Sequence, residues 1–228
     1  MNGLDRYGSD HQTFFGLWEI TARTNTFDQY FQTLDDDGSL NKVTISCNID
    51  RKISGFVEEV ASLGTIQIRT DDECYGITHK EGSLFCCVEG KGIQRVNIRN
   101  KKSTMIVSCD LSSWSYIVSS DNKLYYTNSK ESTVTCCDIG GNIIWTFKDE
   151  NSVKEPRGIA IDNVGNVYTV CYNQKKLIVL SADGQLSRQL LSKDDGLVYP
   201  YAVAYDKIQN RICVINLQNN GFLFDVTF

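Results

Sequence analysis

The feature that most constrains this chain is a repeat with a period near 42 residues. The segment PRGIAIDNVGNVYTV from Pro156 aligns with PYAVAYDKIQNRICVI from Pro200. They share the proline, the alternating apolar residues, the aspartate and the asparagine ahead of a second apolar run. Two weaker copies lie upstream, CYGITHKEGSLFCCVE from Cys74 and WSYIVSSDNKLYYTN from Trp114. Taking Ile77, Ile117, Ile159 and Val203 as equivalent gives spacings of 40, 42 and 44 residues. Strict apolar alternation marks strands that bury one face. A unit of four short strands at this period is a propeller blade.

Each copy continues in the same way. A polar loop follows the second strand, and then comes a third: GIQRVNI, STVTCCDI, KKLIVLSADG and GFLFDVTF. Glycine-containing turns lead to a fourth strand in GGNIIWTF at 140–147 and ADGQLSRQLL at 182–191. No segment keeps a 3.6-residue apolar rhythm over three turns, so helices are not expected. The expected fold is all-β, a β-propeller of four-stranded blades over residues 40–228. Upstream, NKVTISC, ISGFVEE at 53–59 and GTIQIR at 64–69 read as the second, third and fourth strands of a preceding unit. Residues 1–39 match no blade and form a separate N-terminal segment. The unit from Pro200 stops after its third strand. Six blades of this size need about 250 residues, more than the 228 present. The expectation is five to six blades, the ring being either five-bladed or incomplete at the N-terminus. An N-terminal strand completing the last blade would remove exposed edges.

The run Pro156-Arg-Gly-Ile-Ala-Ile-Asp-x-x-Gly-Asn-Val-Tyr, with Lys175-Lys176-Leu177-x-Val179 and Asp183-Gly184 after it, resembles an NHL repeat. More broadly, residues from about 42 to 228 are similar to the NHL-like propellers of tripartite-motif proteins, with most likeness to bivalve mollusc members. CYGITHKEGSLFCC, SYIVSSDNKLYYTN, VTCCDIGGNIIWTFKD and DGLVYPYAVAYD carry that likeness. One departure is Cys171, where the family usually has Asp after the second strand. The resemblance implies a domain that recognises a protein partner or substrate. The resembled full-length family includes ubiquitin ligases, but their Cys/His-rich zinc module is not in this sequence.

Composition narrows the partners. The net charge is −5, with Lys and Arg scattered, whereas nucleic-acid binders usually mass basic residues on one face. RNA binding on a propeller face therefore stays an alternative only. No run of about 18 apolar residues marks a membrane span, and the N-terminus lacks a basic start followed by an apolar block. Nine cysteines without a secretion signal imply a reducing compartment, and the expected location is cytoplasmic. No C-x-x-C occurs, and His11 and His79 are the two histidines, so zinc spacing is absent. The neighbours Cys86-Cys87 and Cys136-Cys137 would point to opposite faces of their strands. By alignment Cys86 falls where other units carry Tyr126, Thr169 and Val214, and Cys137 matches Leu180. These cysteines read as small buried hydrophobes.

A calcium-dependent hydrolase of the lactonase type is a further alternative. It needs oxygen ligands converging from the innermost strands, yet GITH, YIVS, GIAI and AVAY carry no ring of acids. Asp162 and Asp206 sit at strand ends, where a turn role is expected. There is no G-x-S-x-G elbow, and GKGIQR at 90–95 lacks the helix of a phosphate loop. The sequence reads as a non-enzyme, with no cofactor and no metal. Binding is expected on one face of the disc, because strands alternate in direction within a blade. Strand-one entries Tyr75, Ser115, Arg157 and Tyr201 share a side with Lys130, Tyr172, Lys175, Lys176 and Asn216 of the second loops. Aromatic and Arg side chains on such a face resemble protein-interface hot spots.

Overall fold

A computed structural model of the chain describes residues 29–34, 40–46, 65–70, 72–217 and 221–226. The first sheet contains β1 (Gln29–Leu34), β2 (Leu40–Ser46) and β3 (Thr65–Arg69), in that order. The next is an antiparallel meander of β4 (Cys74–Lys80), β5 (Ser83–Val88), β6 (Gly92–Asn97) and β7 (Ser103–Ser108). A second meander comprises β8 (Ile117–Ser120), β9 (Lys123–Asn128), β10 (Thr133–Asp138) and β11 (Ile143–Lys148). A third comprises β12 (Pro156–Ile161), β13 (Val167–Cys171), β14 (Lys176–Leu180) and β15 (Ser187–Leu191). The last holds β16 (Pro200–Asp206), β17 (Arg211–Asn216) and β18 (Gly221–Asp225). One 3-10 turn, Lys193–Asp195, is the sole helical element among the described residues.

The repeat alignment sets the strand register. Ile77 faces Cys86, Ile117 faces Tyr126, Ile159 faces Thr169 and Val203 faces Val214, each a pair of equivalent positions. Neighbouring blades meet through their first strands in the order β4, β8, β12, β16.

The described residues form three complete four-stranded blades and a fourth of three strands. One expectation is corrected. Upstream, β3 pairs directly and in parallel with β2, Lys42 facing Thr65. It is therefore not the fourth strand of a meander, since consecutive meander strands are antiparallel. Part of the segment set apart as 1–39 is strand β1, antiparallel to β2. The stretch 53–59 lies outside the described residues.

The core lies between blades rather than within them. Phe85, Cys87 and Ile93 of the first blade pack with Ile117, Leu124 and Cys137 of the second. Tyr125, Val134 and Cys136 pack with Ile159, Val167 and Leu180 of the third. Ala160, Tyr168 and Val170 pack with Val203, Tyr205 and Val214 of the fourth. Each adjacent cysteine pair is split accordingly, since Cys86 belongs with Leu84, Val88 and Val96 on the other face of its blade. Burial of a large apolar side chain contributes about 1.5–3 kcal/mol, and here it requires the neighbouring blade.

First strands approach closely, which is why Gly76 and Gly158 lack side chains. A Cβ at Gly158 would lie 2.7 Å from Ala202 Cα, and one at Gly76 would lie 2.7 Å from Ser115 O. At the opposite end, Asp162 fills its expected turn role. Its carboxylate accepts from the Val164 and Asn166 amides, the Asn166 side chain and the Tyr168 hydroxyl. Asp206 does the same more simply, accepting from the Ile208 and Gln209 amides.

Candidate partner-binding face

The strand-one entries and the loops between second and third strands do share one side. The Tyr172 amide donates to Glu155 O at 3.4 Å, and the Leu217 amide donates to Tyr199 O at 3.1 Å. Each bond ties a second loop to the entry of its own blade. Glu155 and Tyr199 both take positive φ, 49° and 52°, immediately before the two prolines. Positive φ is uncommon for non-glycine residues and costs backbone energy. The fold thus fixes both entry corners.

Across this side runs an arc of rings and cations. Tyr75 and Trp114 lie with ring centres 6.5 Å apart. The Arg157 guanidinium carbon stands 4.3 Å from the Trp114 ring centre and 3.5 Å from that of Tyr172. Tyr172 meets Tyr199 at 5.1 Å, and Lys175 Nζ lies 4.6 Å from the Tyr199 ring. The arc draws on all four blades. Tyr199 is 37% exposed, and Tyr75, Trp114, Arg157, Tyr172 and Lys175 are half-buried.

Arg157 is held from behind. Its carbonyl accepts the Thr127 hydroxyl at 2.9 Å, and Thr127 Oγ1 accepts the Tyr116 amide at 3.0 Å. Burial lowers the guanidinium from its ordinary value, although an arginine stays charged. Burial likewise pushes the Tyr116 hydroxyl up to about 12, the nearby Arg157 charge opposing that rise. Burial raises Tyr75 too, with its hydrogen bond to Glu73 adding to the effect. Tyr201 is half-buried, and burial raises its hydroxyl. Lys130 pairs at the rim with Asp110, which raises its ammonium. Lys176 opens β14 opposite Cys171.

Two expected binding residues are corrected. Ser115 is 0% exposed, its hydroxyl 3.3 Å from that of Ser112. Asn216 is 1% exposed; it accepts the Val198 amide and donates to Gly196 O, both at 3.0 Å. Both side chains lie inside, bonded to the entry loops of their own blades. Sequence reading missed Trp114 and Tyr199, which stand just ahead of the aligned entries in WSYIV and VYPYAV. Aromatic residues at strand entries were the available signal.

Among the described residues no group of three or more His, Cys, Asp or Glu converges as a metal site would. None of their helices is long and apolar enough to cross a membrane.

No family model and no curated protein matches the chain. Solved structures do. Virginiamycin B lyase from Staphylococcus aureus is 18% identical, with a TM-score of 0.52, over 87% of this chain and 64% of that one. A Bacteroides thetaiotaomicron protein of unknown function is 14% identical, TM-score 0.59, over 86% of this chain and 55% of that one. The β-propeller domain of Cps50 (Swd1) from Myceliophteria thermophila is 12% identical, TM-score 0.55, over 68% and 54%. The chain therefore spans just under two thirds of the lyase and about half of the other two. At these identities the likeness concerns the fold alone, a β-propeller.

Proposed function

We propose that this chain is a non-catalytic protein-binding β-propeller whose partner docks on the face of Arg157, Tyr172 and Tyr199. The observation that carries this reading is the unbroken arc from Tyr75 to Tyr199 over adjacent blades. Rigid aromatic and arginine side chains with an apolar body and a polar edge are what protein interfaces use as anchors. Because the fold fixes them beforehand, little ordering cost remains at binding. The likeness to tripartite-motif NHL propellers supports the same use, as a domain that selects a partner or ligase substrate. A polyanion such as RNA fits less well, since the net charge is −5 and Glu73 and Glu155 stand beside the arc.

Capture from native lysate with the full chain tests the reading. Partners recovered by the wild type are expected to be lost on Arg157→Ala combined with Tyr199→Ala. They are expected to persist when Asn163 and Asn166, on the opposite side, are changed to Ala. The reverse pattern would place binding on the other face.

A further inference from the structure

Arg157 forms no ion pair among the described residues, although the nearby Glu155 charge favours its charged form. Among the described residues the ion pairs are Lys91–Asp72, Lys130–Asp110, Lys148–Glu131 and Arg211–Asp225. The nearest acid in sequence, Glu155, accepts instead from the Asn173 side chain. Arg157 Nε is buried with no hydrogen-bond partner. Such an unsatisfied polar atom calls for an explanation in a fold whose other buried polar groups are largely paired. Two rings, one on each neighbouring element, keep the guanidinium in place without neutralising it. A partly desolvated cation attracts an incoming negative group more strongly than a solvated one does.

We propose that Arg157 is the anchor for a single Asp or Glu side chain of the partner, carried within a peptide segment that lies along the aromatic arc. This rests on the protein-binding reading and gives it a ligand chemistry. The guanidinium fork matches a carboxylate in two parallel hydrogen bonds, which a neutral amide cannot reproduce at the same strength. Arg157 stands mid-arc, with Trp114 and Tyr75 on one side and Tyr172 and Tyr199 on the other. A segment crossing it therefore continues in both directions, which favours an internal acidic residue over a chain terminus. Glu73 and Glu155, which accept hydrogen bonds beside the arc, disfavour a run of carboxylates there.

The test uses the full chain and fluorescein-labelled nine-residue peptides with a central Glu and apolar or aromatic flanks, read by fluorescence anisotropy. Each has two matched partners, one with Gln at the centre and one truncated to end there with a free carboxylate. The Glu peptides are expected to bind about ten- to a hundredfold tighter than their Gln partners, as a charge-assisted contact gives. Arg157→Gln should erase that difference, and Arg157→Lys should retain part of it. Tyr199→Ala should weaken Glu and Gln peptides alike and keep their ratio. Circular dichroism of each variant confirms the fold. Equal binding of Glu and Gln peptides, a preference surviving Arg157→Gln, tightest binding by truncated peptides, or binding of an oligouridylate alone each overturns the proposal. So does an absence of peptide binding at millimolar concentration. A lysate partner lost on Tyr199→Ala but kept on Arg157→Gln would overturn the carboxylate and leave the protein-binding reading standing. A partner indifferent to both would overturn the two together.

Discussion

Asn128, Cys171 and Asn216 close the second strands of three successive blades, and their contacts separate what holds the face from what presents it. Asn128 donates to Asp110 O and accepts the Lys130 and Glu131 amides, while Asn216 bridges Val198 and Gly196 in the same manner. Cys171, the departure noted in the sequence, reaches Ser152 O with its thiol at 4.0 Å. Asn216→Ala strands two part-buried backbone groups and should cost about 1–3 kcal/mol, read as a lowered melting temperature. A melt unchanged within error would mean that water replaces the amide. The buried thiols make a second prediction. Burial pushes Cys137 up to about 12 and Cys171 up to about 11, from an ordinary 9.0. The folded chain therefore keeps these protons where the unfolded chain has lost them. Their stabilising contribution is complete below about pH 9 and declines as pH climbs through the folded values. Urea midpoints should hold level between about pH 7 and 8.5 and fall steadily above about 9. A flat profile to pH 11 would show that the thiols are solvated.

Within each blade the strands themselves were legible, because alternation with period two assigns every residue of a half-buried strand to a face. Equivalent pairs such as Ile159–Thr169 and Val203–Val214 sit where the alignment put them. The entries were less legible, and a bulge is the reason. Pairing slips between Cys74 and Ile77, between Pro156 and Ile159, and between Pro200 and Ala202. A bulge breaks alternation, so counting two residues back from the aligned Ile or Val does not say which way a side chain faces. Arg157 thus reaches the rings while Ser115, its counterpart by counting, is sealed inside. The first strands approach closely within these bulges, where Gly158 backs onto Ala202 and Val203. Gly158→Ala would force backbone against backbone and should cost about 1–3 kcal/mol, as overpacking does. The check is the urea midpoint at constant slope. No shift would mean that the two strands separate freely, and with them the corner that positions Arg157.

At the scale of the molecule the repeat predicted blades but not how many, and the upstream sheet shows why. The parallel pair β2–β3 cannot be closed by a two-residue hairpin turn, so the meander period that marks the other blades does not extend to it. The four blades, by contrast, depend on one another in a way that their sequence period already implied. Tyr168 stacks on Tyr205 with ring centres 5.6 Å apart, and Val170 and Leu177 lie in the same cluster as Leu197, Val203 and Val214. Removing the fourth unit uncovers three large side chains of the third. At about 1.5–3 kcal/mol each, the loss is at most roughly 5–9 kcal/mol, comparable with the whole stability of a domain. A chain ended at Asp195 is therefore expected not to melt as a smaller propeller. It should lose its near-ultraviolet dichroism and bind a hydrophobic dye while keeping strand signal in the far ultraviolet. A cooperative melt within a few degrees of the full chain would show instead that blades stand alone. In that case the arc from Tyr75 to Tyr199 would be a chance alignment of independent units rather than a surface that the fold enforces.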